Sequence, residues 1–493
     1  MFKKFTGCLS AILFTLSVCL LPFSSHAQTD TSNEQQAEPQ NDFHDDQQNH
    51  QTNDPQDEPQ EPDLPVTELI INKRNFSTEQ LRLWADALDQ NKDHKLSLEE
   101  GKEVTELNMH QETSRDLVPV SEPCSMKFLK LLPNLERMDL SGFSTAELDL
   151  TQNTKLKKIS IFYSNIGQID LSENERLKKL ICVSCGLSGL DVSHCPKLKL
   201  LTVSDNQIGS LNVSQNKKLQ TLDCSFNPNI RLTGLPCLVE LKHLECSETR
   251  LSHLDCRNLK NLKTLMFYGN PIRSTEDILG LKYLKNLREL SISDCELETL
   301  DLSSMVRLKR LDCYNNHLTR LDLSTVPKLT ELYCANNQLV ELDISQLKKL
   351  KLLKCDNNKL TSLFVSDSSV ESIYCEYNQL HTLDVTDASN LTALHCGHNR
   401  LMTLKISDLS TLYCEQNHIL ELDLSHAEHL TELYCQKNLI EILDASSNKN
   451  LEILDCRNNY MTSLKLPQTN MESLQYEAGN QISSPYISQD SAW

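Results

Sequence analysis

The segment Asp89-Gln-Asn91-Lys-Asp93-His94-Lys95-Leu96-Ser97-Leu-Glu-Glu100 places oxygen-bearing residues at positions 1, 3, 5, 9 and 12 of a twelve-residue loop. A hard divalent cation needs such a ring of oxygens, with Lys95 giving its backbone carbonyl, Glu100 closing the sphere in bidentate fashion and apolar Leu96 at position 8. The expected metal set is Asp89, Asn91, Asp93, Lys95, Ser97 and Glu100, holding one Ca2+ weakly, with a dissociation constant of about 10⁻⁴ to 10⁻³ M. Position 6 departs from the pattern, because His94 stands where the sharp turn favours glycine with positive φ. Histidine enters the left-handed region more readily than branched residues do, so affinity suffers more than geometry. The alternative is a helix-loop-helix cap that binds nothing. Ser77 as N-cap with Gln80 three residues on, then Leu81, Trp84 and Leu88 at helical spacing, predict the helix leading into the loop.

Other reactive types do not assemble into a catalytic site. His395 and His398 flank Cys396, but in a strand the cysteine points inward and the histidines outward, so no Cys-His nucleophile forms. No G-x-S-x-G, H-E-x-x-H or phosphate loop occurs. No catalytic residue is assigned and no enzyme is expected.

Seventeen cysteines follow residue 27, and eleven fall in one column: Cys182, Cys224, Cys246, Cys313, Cys334, Cys355, Cys375, Cys396, Cys414, Cys435 and Cys456. The column belongs to a repeat. With Leu135 as position 1, successive starts fall at 156, 177, 198, 219, 241, 262, 287, 308, 329, 350, 370, 391, 409, 430, 451 and 471, and eleven of these sixteen intervals are 21 residues. The unit reads L-x-x-L-x-C-x-x-N-x-L-x-x-L-D-L-S, the leucine-rich-repeat pattern. The predicted fold is an α/β repeat solenoid whose concave face is a curved parallel sheet and whose convex side is irregular or 3-10, with a small helical N-terminal cap. Each unit should give a strand at positions 3 to 5 and bury positions 1, 4, 6, 9, 11, 14 and 16.

The columns carry separate expectations. Asn at position 9, from Asn206 to Asn459, satisfies backbone groups of its own and the adjacent turn, with Cys185 and Cys295 as substitutes. Stacked strands lie ~4.8 Å apart with parallel side chains, whereas a disulfide needs Cβ atoms at ~3.8 Å and converging vectors, so the position-6 thiols should stay reduced. Cys124, Cys195, Cys237 and Cys256 lie outside both columns and are left unpaired. Positions 3, 5, 7 and 8 project from the concave face. There Tyr333, Lys354, Tyr374, His395, Tyr413 and Tyr434 follow one another at position 5, with Tyr314 and Tyr377 beside them. Such a row of rings makes a protein-binding stripe, or else a cross-strand packing device, or a carbohydrate platform. The expected partner-binding residues are Tyr314, Tyr333, Tyr374, Tyr377, His395, Tyr413 and Tyr434. Position 3, at Thr221, Thr264 and Arg310, should matter less.

The 21-residue repeat with Cys at position 6 resembles the internalin J class of bacterial surface internalins. The segment Leu69-Ile-Ile-Asn-Lys-Arg-Asn75-Phe76 through Glu100, with Val104-Thr-Glu-Leu107-Asn-Met109, is similar to the EF-hand-like cap that precedes such repeats in bacterial secreted proteins. The likeness covers roughly residues 67 to 482 and implies a non-enzymatic adhesion or recognition module. The chain departs from it in having no cell-wall sorting motif and no immunoglobulin-like or stalk domain.

Composition fits an exported binding protein. Lys3 and Lys4, the apolar run Leu9 to Phe23 and Ser25-His26-Ala27 form a cleavable leader. Residues 28–66 hold eleven carboxylates and no Lys or Arg, so they read as a disordered acidic spacer. The cap and irregular first repeat take 67–134, the repeats 135–482 and a tail 483–493. A net charge of −20 argues against nucleic acid, and no later stretch approaches the length of a membrane span. The expectation is a monomer, secreted or extracellular, or held in the periplasm or at the cell surface. It recognises a protein through the concave face; a secreted effector enzyme and a carbohydrate-binding scaffold are the alternatives.

Overall fold

The computed structural model describes residues 66–72, 79–110, 124–468, 471–482 and 485–487. The expected leader, the spacer up to residue 65 and the Ser77 cap lie outside these residues.

The repeat period becomes a coil of leucine-rich turns. Positions 3 to 5 form a strand in every unit, for example Glu331–Tyr333, Leu352–Lys354, Ser372–Tyr374, Ala393–His395, Thr411–Tyr413 and Glu432–Tyr434. All pair in parallel with matched positions opposite, such as Tyr374 with His395 and Tyr413 with Tyr434. The pairings run in one line from Glu106–His110 to Ser473–Gln475, a continuous parallel sheet. The register holds even where the repeat length changes, Thr264 facing Glu289 and Ala393 facing Thr411, because a slip by one residue would turn the leucines outward. The position-4 leucines, such as Leu332 and Leu353, are fully buried beside Cys334 and Cys355, as the pattern requires.

The asparagine column works as expected. Asn337 donates through Nδ2 to the carbonyls of Cys313, Cys334 and Ala335 at 2.9, 3.2 and 3.2 Å, and its Oδ1 accepts the Leu318 amide at 3.0 Å. One side chain thus ties two successive turns. Cys185 reaches the corresponding carbonyls, Ile161 at 3.4 Å and Val183 at 3.3 Å, through the weaker thiol. The residue before each asparagine takes a left-handed backbone in repeat after repeat, as at Asn315, Asn336 and Asn357, with φ of 53°, 55° and 54°. That reversal lets the chain leave the strand within two residues.

The side opposite the main sheet is more regular than expected. Positions 13 to 15 pair as short parallel strands in several turns, for instance Glu341–Asp343 with Ser362–Phe364. Where the motif keeps D-x-S, the aspartate caps the turn that follows: Asp343 Oδ1 accepts the Ser345 amide at 2.8 Å, and Asp301 does the same for Ser303 at 2.9 Å. A further buried column lies at position 19. Asn153, Asn174, Asn216 and Asn448 sit there fully buried, bonding carbonyls of the preceding turn, and Cys195 occupies the same position. Cys195 is therefore a core residue of a column that the leucine pattern does not reveal.

The cap closes the N-terminal end. The helix Glu79–Leu88 buries Leu81 and Ala85, and Trp84 meets Phe128 with ring centres 5.6 Å apart. The strand Glu68–Ile70 pairs antiparallel with Lys95–Ser97, which holds the loop between the helix and the short helix Leu98–Gly101. Gly101 abuts Leu131 so closely that a Cβ would lie 2.0 Å from its carbonyl oxygen.

Candidate interaction face

Position 5 projects from the concave face, and parallel pairing sets equivalent side chains one strand apart. At the ~4.8 Å strand spacing, rings at equivalent positions can lie nearly parallel, one over the next. Tyr374 and His395 stack with ring centres 4.4 Å apart and 18° between planes, His395 and Tyr413 at 4.3 Å and 12°, and Tyr413 and Tyr434 at 4.5 Å and 18°. Four rings in consecutive repeats thus form one column. Lys354 extends it, its Nζ 5.1 Å from the Tyr374 ring centre and 6.0 Å from that of Tyr333. The face contributes charge and aromatic surface together.

Two expected members sit apart from the column. Tyr314 accepts a bond from Asn336 Nδ2 at 2.8 Å. Tyr377, about half exposed, stacks on His398 at 4.1 Å instead, and His398 was not in the expected set. Both belong to position 8, so a position-by-position tally of that column would have found the pair. Arg310, at position 3, reaches the aromatic row: its guanidinium carbon lies 4.4 Å over the Tyr333 ring, and Nη1 bonds both Glu331 and, at 3.2 Å, the Tyr333 hydroxyl. An arginine at position 3 is long enough to reach position 5 of the next repeat.

The electrostatics differ along the face. Burial holds His395 below its usual value against the opposing pull of Glu432, so the ring is neutral at pH 7. Burial together with the Glu432 hydrogen bond, 2.8 Å from the Tyr413 hydroxyl, pushes that phenol up. At position 7, burial, then Asp356 and Glu415, raise Glu376 to about 7. Glu415 leans over Gly397, where a Cβ would stand 2.8 Å from its carboxylate carbon. The column of rings is therefore bordered by crowded carboxylates.

The thiols of the position-6 column are fully buried and held above the usual thiol value, Cys182 first by its hydrogen bond with Cys185 and the others by burial, Cys456 to about 12. Protonated, enclosed thiols are poor nucleophiles. Among the residues outside the two sequence columns, Cys237 is exposed while Cys256 is fully buried.

In the N-terminal loop, His94 takes φ of 59°, the left-handed turn that position 6 demands. Asp89 accepts the amides of Asp93 at 3.3 Å and His94 at 2.9 Å, and Asn91 Oδ1 accepts that of Asp93 at 2.9 Å. Burial would raise Glu100, yet hydrogen bonds from Ser97, Gln90 and Asn91 outweigh it and hold the carboxyl ionised below its usual value. The Glu100 carboxylate spans the loop, bonding the Gln90 amide at 2.8 Å and the Ser97 amide at 2.9 Å. The turn and the closing glutamate fit a calcium loop. Among the described residues no group of three or more His, Cys, Asp or Glu side chains is gathered closely enough to hold a metal by themselves; the loop would also need the oxygens of Asn91, Ser97 and the Lys95 carbonyl.

No family model matches the sequence. Among solved structures, the chain is similar to the functional domain of InlJ from Listeria monocytogenes, which includes a cysteine ladder, at 24% identity and a TM-score of 0.63 over 82% of this chain and 85% of that one. It is similar to YopM from Yersinia enterocolitica at 23% identity and a TM-score of 0.56, over 84% and 94%. A leucine-rich-repeat protein of Leptospira interrogans matches at 21% identity and a TM-score of 0.53, over 78% and 93%. These likenesses establish the leucine-rich-repeat fold. Among the described residues no helix is long and apolar enough to cross a membrane.

Proposed function

We propose that the protein is an exported, non-enzymatic recognition module that binds a protein partner on its concave face, in an adhesion or surface-interaction role. The observation that carries this reading is the four-ring column from Tyr374 to Tyr434. Rigid aromatic side chains set side by side lose little entropy on binding and are the groups that dominate protein interfaces. Their position supports it further. They stand on a rigid sheet, stabilised by backbone ladders beneath, so the surface is organised before a partner arrives. Tyr333 with Arg310 and Lys354, and the Tyr377–His398 pair, widen the same surface.

The leader at residues 1–27 supports export, and the Asp89–Glu100 loop supports weak calcium binding as a clamp on the cap. The test of the main reading is affinity capture from secreted and host-cell extracts with the intact protein, in parallel with a Tyr374→Ala, Tyr413→Ala, Tyr434→Ala variant. A partner retained by the first and lost by the second supports it. A partner retained equally by both places recognition elsewhere.

A further inference from the structure

The chain is acidic overall, yet its basic residues are not scattered. Position 2 of the repeat is Lys178, Lys199, Lys242, Lys263, Arg288 and Lys309 in units between residues 177 and 309, broken only by Gln220. The residue just before position 1 adds a second column with Arg176, Lys197, Lys218, Arg307 and Lys328. Between Lys155 and Lys351 these two columns contain one acidic residue, Glu240, and no aromatic residue. Beyond Lys351 the pattern reverses, and position 2 becomes Glu371, Thr392, Ser410, Thr431 and Glu452.

The fold turns this sequence pattern into a surface. Position 2 precedes the buried side of each strand, and its backbone carries the ladder from turn to turn: the Lys263 amide donates to the Lys242 carbonyl at 2.8 Å and the Arg288 amide to the Lys263 carbonyl at 2.8 Å. The cations are thereby set on one flank at the strand spacing of ~4.8 Å. Lys178, Lys199, Arg288 and Lys309 are exposed, and Lys242 and Lys263 half-buried. None of the six has an ion-pair partner among the described residues, whereas Lys157 and Lys351 at the two ends of the run pair with Glu136 and Glu371. Six like charges on one flank repel one another, and among the described residues the only side-chain hydrogen bond made by any of their cationic groups is from Lys242 Nζ to Gln220 Oε1 at 3.2 Å.

The middle of the flank is dished, with Lys242, Asn261, Lys263, Asn286, Arg288 and Arg307 around the depression. The amides there are fixed. Asn261 Nδ2 donates to the Val239 carbonyl at 2.9 Å, Asn286 Nδ2 to that of Lys260 at 2.9 Å, and Asn286 Oδ1 accepts from Arg307 Nη1 at 2.9 Å. That last bond aims a guanidinium along the depression.

We propose that this flank, between Arg176 and Lys328, is a second binding surface, for a linear anionic polysaccharide bearing sulfate or carboxylate groups. Two short rows of cations, interrupted at Gln220, face a polymer that carries anions along its length, and displacing the polymer's counterions drives the association. The absence of aromatic rings from both columns separates this class from single-stranded nucleic acid, whose bases need stacking partners. The surface is distinct from the concave aromatic column, so one molecule has room to hold a polysaccharide and a protein partner together.

Heparin serves as the sulfated probe, hyaluronan as the carboxylate-only probe and a thirty-nucleotide oligothymidylate as the nucleic-acid probe, each titrated against the intact protein at pH 7.4. The expected result is saturable heparin or hyaluronan binding that weakens steeply with salt and falls at least tenfold in Lys242→Glu, Lys263→Glu, Arg288→Glu. Because two of those residues are half-buried, Lys178→Glu, Lys199→Glu, Lys309→Glu provides a fully exposed second variant with the same expected loss. Arg400→Glu, Lys437→Glu, Lys449→Glu changes the net charge equally far from the flank and should alter affinity less than twofold. The proposal is overturned by no binding of either polysaccharide, by oligothymidylate binding as tightly, or by an equal loss in the distant variant.

Discussion

The His395 imidazole lies flat against the Tyr413 ring, 4.3 Å between ring centres and 12° from parallel. The contact follows from two features, parallel pairing of Ala393–His395 with Thr411–Tyr413 and aromatic residues at position 5 in both. Neither ring is needed to fill the core, since Leu394 and Leu412 do that from the other side of the strand. The rings are a surface built on a finished fold.

The asparagine ladder should be the most sensitive polar feature of that fold. Asn337→Ala removes a buried amide bonded to three carbonyls and one N–H. The expected loss is about 2–3 kcal/mol in urea unfolding. A loss under ~0.5 kcal/mol, the level of an ordinary surface substitution, would show that the turn holds without the ladder.

The thiols should be free but unreactive. Alkylation of the native protein is expected to modify exposed Cys237 first, while Cys313 through Cys456 react only after unfolding, without any reductant. Mass spectrometry reads both steps. Linked neighbours in the column would contradict the parallel packing that separates their Sγ atoms.

Glu376 gives a pH signature. Its carboxyl is raised from 4.5 to about 7 by burial and by Asp356 and Glu415, so the folded state binds this proton more tightly than the unfolded chain. Stability from the group is therefore present at low pH and lost as pH rises through about 7. Glu376→Gln should melt higher than the parent at pH 8, with the difference shrinking toward pH 4.5. An equal difference at both pH values would mean that the carboxylate is not held out of water.

Calcium should act on the cap. Millimolar Ca2+ is expected to raise the first thermal transition of the intact protein, and Glu100→Gln should abolish the rise while keeping a side chain able to bond the Ser97 amide. An unchanged melting curve in the parent would leave the loop as a hydrogen-bonded cap only.

The sequence was most legible where side-chain type and period coincide. The leucines, the position-6 cysteines and the asparagine ladder each repeat at fixed offsets, so strand position and burial could be read directly. Position 19 was not legible, because Asn153, Cys195, Leu347 and Ala388 share the column and differ in polarity as well as size. The stripe was legible as a row of residue types, but its membership depended on reach. Arg310 crosses to the ring of Tyr333 in the next repeat, while Tyr377 turns to His398. Offsets along the chain give the direction of a side chain and say little about where a long one ends.

The claim that the Tyr374–Tyr434 column is the recognition surface is tested most directly by partner affinity. Isothermal titration of the captured partner should show Tyr374→Ala, Tyr413→Ala, Tyr434→Ala weaker by at least ~2 kcal/mol, with the far-ultraviolet spectrum unchanged. Thr221→Ala, Thr264→Ala, which lie outside the column, should bind like the parent. Full affinity in the tyrosine variant would contradict the account, leaving the stacked rings as strand packing alone.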